Sequence, residues 1–122
     1  MHELDRPVWA SLSTFHASLS EGSDLAKRFT RDVNLFASAR DDSTEALTAL
    51  ADLVKPREKV YVLQGPEVVV PPGLRLLAAA KGVQMVATER MPHAIAGDDI
   101  LTLTDADAPE MLALATLTEP GP

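Results

Sequence analysis

This sequence predicts an α/β domain, with α+β as the alternative, built as a twisted mixed sheet with flanking helices. Three stretches, near residues 7–20, 42–54 and 107–118, repeat apolar residues at the helical period. Between and after them lie β-branched runs, "KVYVLQ" (59–64), "VQMVAT" (83–88) and "ILTLT" (100–104), each bounded by turn-forming residues. Helical and extended patterns alternate along the chain, which is the arrangement of a sheet carrying helices rather than of an all-α bundle.

The first helix is expected over residues 7–20. Val8, Leu12, Phe15, His16 and Leu19 fall on one face, Pro7 suits a first turn, Asp5 lies near the cap, and Gly22 is the stop. Trp9 sits at the edge of that stripe. Next, "DLAKRF" (24–29) reads as a short helical turn and "VNLFASA" (33–39) as extended. A second helix opens at Asp42, with Glu45 at capping-box spacing, and buries Leu47, Leu50, Ala51 and Val54 before Pro56 stops it. After the strand at 59–64, "EVVV" (67–70) continues extended until Pro71-Pro72-Gly73, which must turn or bend. "LRLLAAA" (74–80) suits helix or strand equally, Lys81-Gly82 is a turn, and 91–99 is a loop broken by Pro92 and Gly97. The last helix runs from about Asp107 to Thr118. Asp105 or Asp107 caps it, Pro109 lies in its first turn, and Met111, Leu114, Ala115 and Thr118 share a face.

Bulk composition narrows the function classes. With 122 residues, the chain has room for one domain, or one domain and part of another. Its net charge of −7, from 18 acidic against 11 basic residues, opposes phosphate-backbone binding, so nucleic acid is not expected as a partner. The absence of cysteine removes disulfides, thiolate metal sites and a cysteine nucleophile together. Neither a signal-like apolar run nor a stretch of roughly 18 apolar residues occurs, so no membrane association and a cytoplasmic location are expected.

Chemistry-bearing residues are scattered. His2, Glu3 and Asp5 form a ligand-like set, but at a chain end that lacks the rigid frame a metal needs, so no metal site is expected. His16 reads as a hydrogen-bonded histidine on the apolar stripe, and His93 as an exposed loop residue. The carboxylates of "DDSTE" (41–45) and "DDILTLTDAD" (98–107) are explained by helix starts, where the macrodipole favours negative charge. A hydrolase centred on His16 or His93 lacks a positioned nucleophile, so no catalytic residue is assigned. The six glycines are never two apart, so no Gly-x-Gly loop is available to cradle a phosphate, and no cofactor-binding residue is assigned either.

The closing segment adds a resemblance. Leu103-Thr104-Asp105-Ala106-Asp107-Ala108-Pro109-Glu110-Met111, with the Leu/Ala-rich continuation to Thr118, resembles the opening strand and helix of the catalytic domain in a group of GNAT-family N-acetyltransferases. "LDRPVWASL" (4–12) and "PPGLRLL…GVQMVA" (71–87) are similar to the region preceding it in the same group. The resemblance implies transfer of an acetyl group from acetyl-CoA to a small-molecule or peptide amine, with the protein orienting both and removing a proton. In that family the coenzyme is gripped by a Gln/Arg-x-x-Gly-x-Gly/Ala loop, and a tyrosine often protonates the departing thiolate. Neither part matches here, and the lone Tyr61 lies outside the matching region.

The expected organisation is therefore an α/β accessory domain at 1–97, followed at 98–122 by the first strand and helix of an incomplete acetyltransferase domain. Such a chain is a front portion of a longer enzyme, inactive alone and binding no acetyl-CoA. Glu119, at the start of the loop that leans over the acceptor site in this family, is the one candidate substrate contact. The alternative is a non-catalytic binding module that dimerises through the exposed edge of the 100–104 strand.

Overall fold

The computed structural model describes residues 2–90 and 100–119. The chain divides into two compact units, residues 1–77 and 78–121. Within the first unit, α1 (Pro7–Ser13) is followed by a three-stranded antiparallel sheet of β1 (Ser20–Gly22), β2 (Ala26–Phe29) and β3 (Ala37–Ala39), in that spatial order. The helix α2 (Thr44–Asp52) comes next. Ser20 pairs with Phe29, and Ala26 with Ala39, which fixes both registers.

Alternation along the strands assigns their two faces. Ala26, Ala37 and Ala39 point to α2 and form one core cluster with Ala46, Leu47 and Leu50. Alanine on the sheet leaves room for the two leucines, and burying each leucine stabilises by about 1.5–3 kcal/mol. Phe29 points the other way and packs with Val8 and Leu12 of α1, joined at the margin by Leu19 and Phe36. Lys27, on that same face, lies 5.5 Å from the centre of the Trp9 ring, a cation–π contact.

"DLAKRF" is thus strand and turn rather than helix. Its side chains serve two opposite cores, which a helical turn could not do, and that tertiary demand overrides local propensity. Gly22 does not end a helix. It holds φ at +125° beside the β1–β2 turn, where a Cβ would lie 2.2 Å from the carbonyl oxygen of Ala26.

The first helix is shorter than its apolar period. Thr14 leaves helical geometry at φ −130°, ψ −102°. The Thr14 hydroxyl donates to the Ala10 carbonyl at 2.7 Å, and the His16 N–H donates to the Ser11 carbonyl at 2.9 Å. Thr14 thereby offers the backbone a competing bond, and the helix stops. Phe15 consequently turns outward, 94% exposed, while Leu19 reaches the core through a short 3₁₀ turn, Ala17–Leu19.

At α2 the expected cap moves by one residue. Ser43 is the N-cap, accepting from the Ala46 N–H at 3.3 Å, and Asp41 in turn accepts from the Ser43 N–H and hydroxyl. Asp42 is engaged elsewhere, by Arg6.

Of the expected strands after α2, 59–64 forms a β-bridge. Tyr61 forms a single parallel bridge with Phe36: its N–H donates to the Leu35 carbonyl and its carbonyl accepts from the Ala37 N–H. Pro71-Pro72-Gly73 does turn, closed by the Leu74 N–H on the Pro71 carbonyl at 3.1 Å, with Gly73 at φ +83°.

The second unit contains a 3₁₀ turn, Asp105–Asp107, leading into α3 (Ala108–Thr118). The Asp107 carboxylate accepts from the Thr104 N–H at 2.9 Å, and Pro109 occupies the first turn as expected. Residues 83–88 and 100–104 carry the strand pattern but join no ladder among the described residues. The loop expected at 91–99, with His93, lies outside the described residues.

Candidate functional site

Glu119 terminates α3. Its backbone adopts the left-handed conformation, φ 49° and ψ 47°, and its N–H donates to the Ala115 carbonyl at 3.0 Å. This is the C-cap geometry usually given to glycine, so the residue has a structural task already. The Glu119 side chain is exposed and has no polar partner among the described residues. The carboxylate is thus accessible to a cationic amine, but no second group converges on it.

A shallow, open hollow lies elsewhere in the first unit. This cleft of about 280 Å³ opens between α1 (Pro7, Val8, Ser11), Phe29 of β2, the Asn34–Phe36 loop and Leu63. Phe36 leans on Tyr61 at a centroid separation of 5.7 Å. The walls are apolar, with two polar groups at the margin. The Asn34 carbonyl oxygen is occupied by the Phe36 N–H at 2.8 Å, which leaves its amide N–H groups free to donate. Ser11 Oγ lies 2.5 Å from His16 Nδ1, and the imidazole also rests against Phe29 at 6.0 Å.

That serine–histidine pair was not foreseeable. On a continuous helix, positions five apart lie about 140° from each other around the axis. Only the break at Thr14 brings them together. His16 is also exposed rather than buried on a stripe, although it is hydrogen-bonded as expected. The pair is not a nucleophilic centre, because no carboxylate among the described residues orients the second ring nitrogen.

Several charged side chains in the first unit are bound to one another. Arg6, buried, donates to the Ala39 carbonyl, to Gln64 Oε1 and to Asp42 at 2.7 Å, tying the amino terminus to β3, residue 64 and the approach to α2. Arg28, fully buried, pairs with Glu58 at 3.0 Å and donates to the Leu53 carbonyl at the end of α2. Glu58 also receives Arg31 through two contacts. The Arg31 guanidinium is the main reason the Glu58 carboxyl is held down at about 2, with the Lys55 N–H and Arg28 adding to it. Asp41 is likewise held at about 2, chiefly by the Ser43 hydroxyl and then by Arg40.

The resemblance implies acetyl-CoA, whose diphosphate needs converging backbone N–H donors. The described residues do not fit it. The start of α2 carries Asp41, Asp42 and Glu45, and that of α3 carries Asp105, Asp107 and Glu110, all repelling an anion. The N–H of Gly65 is spent on the Asp5 carbonyl at 2.7 Å, and Gly22 is enclosed by its own hairpin. Gly73 and Gly82 stand singly, with open space around them.

The cluster His2, Glu3, Asp5 is a local turn: Asp5 accepts from the His2 N–H and His2 Nδ1 from the Leu4 N–H. Among the described residues no group of three or more His, Cys, Asp or Glu is placed to hold a metal ion. Nor is any helix among them long and apolar enough to cross a membrane.

Comparison with known proteins returns no matching family model and no matching curated protein. Among solved structures, the chain is similar to a "Putative Acetyltransferase from the GNAT family" from Novosphingobium aromaticivorans DSM 12444, with 32% identity and a TM-score of 0.74. The likeness covers 100% of this chain and 53% of that one, so the chain spans about half the length of the protein it matches. The resemblance carried by residues 4–12, 71–87 and 103–118 thus extends to sequence and fold together: along its whole length, this chain is similar to a GNAT-family protein.

Proposed function

We propose that this chain is the amino-terminal part of a GNAT-like N-acetyltransferase, an enzyme moving an acetyl group from acetyl-CoA to an amine, and that it has no activity alone. The observation that carries this reading is the match itself: 32% identity across all of the chain, against only 53% of a protein named as an acetyltransferase. The acidic helix starts and the isolated glycines support the second half of the reading, since they leave the coenzyme's diphosphate without donors.

In this reading residues 1–97 form an accessory α/β domain and residues 98–122 begin the catalytic one. Glu119 contacts the cationic acceptor from the end of α3. The coenzyme grip and the acid for the departing thiolate come from the part of the enzyme that this chain does not match.

The test is release of free CoA thiol from acetyl-CoA over a panel of amines. The chain's lack of cysteine removes any protein thiol from the readout. No release is expected from the chain alone, and amine-dependent release is expected once it is joined to the unmatched remainder of the Novosphingobium protein. Turnover by the chain alone, or none by the joined protein, contradicts the reading.

A further inference from the structure

We draw no further inference here: the strongest candidate, the open apolar hollow between α1, Phe29 and Phe36 with Ser11 at its margin, is an unpartnered face of the first unit, and nothing in the structure shows what covers it.

Discussion

Residues 1–77 and residues 78–121 present the same kinds of sequence pattern and reach opposite outcomes. Every buried residue among those described belongs to the first unit. There, a helix as short as α2 buries Leu50 to 2% exposure, whereas the longer α3 leaves each of its leucines more than half open. The strand patterns divide the same way. Residues 59–64 lie against Phe36 through a parallel bridge, while 83–88 and 100–104, equally β-branched, join no ladder among the described residues. Apolar periodicity records a capacity to bury a face; whether it is buried depends on a partner elsewhere in the chain.

The largest effect expected from that contrast is in paired leucine truncations. Leu50→Ala should destabilise the chain by about 4 kcal/mol, through lost transfer energy and the cavity left beside Ala26 and Ala46. Leu117→Ala should change it by less than about 0.5 kcal/mol, as expected for an exposed site. Urea denaturation of both variants measures the pair, and equal losses would break the comparison.

The next effect is electrostatic and confined to the first unit. Glu58→Ala should cost about 3 kcal/mol, since it strands the buried Arg28 guanidinium without its counter-charge. The same group sets an acid limit. Its carboxyl falls from an ordinary value of 4.5 to about 2 on folding, so its contribution is complete above pH 4.5 and is lost as the pH drops toward 2. Asp41, lowered from 3.8 to about 2, acts in the same direction. Thermal melts from pH 6 to pH 2 should therefore show the melting temperature falling below about pH 4.5, less steeply in Glu58→Ala.

Smaller changes sharpen the account of the hairpin and the cap. Gly22→Ala should cost about 2 kcal/mol, because it strains φ and drives a Cβ against the Ala26 carbonyl. Ser43→Ala should cost about 1 kcal/mol by freeing the Ala46 N–H. Both are read by the same denaturation assay.

The fold class, the α2 helix with its Leu47 and Leu50, the Pro71–Gly73 turn and the α3 helix were all legible in the sequence, because each rests on local period or turn chemistry. Phe15 and His16 were misplaced, since the competing hydroxyl bond of Thr14 leaves no trace in apolar spacing. "DLAKRF" was misread because its alternation serves two cores set by distant α1 and α2. The candidate site was less legible still. Glu119 could be placed at a helix end, but the cleft beside Phe29 and the junction of Arg6, Asp42 and Gln64 join residues far apart in the chain, and no spacing rule connects them.

The most direct test of the central claim is a calorimetric titration of the isolated chain with acetyl-CoA. With acidic helix starts and no run of free amide donors among the described residues, no saturable heat is expected at any accessible coenzyme concentration. A saturable isotherm with one site per chain would contradict the account.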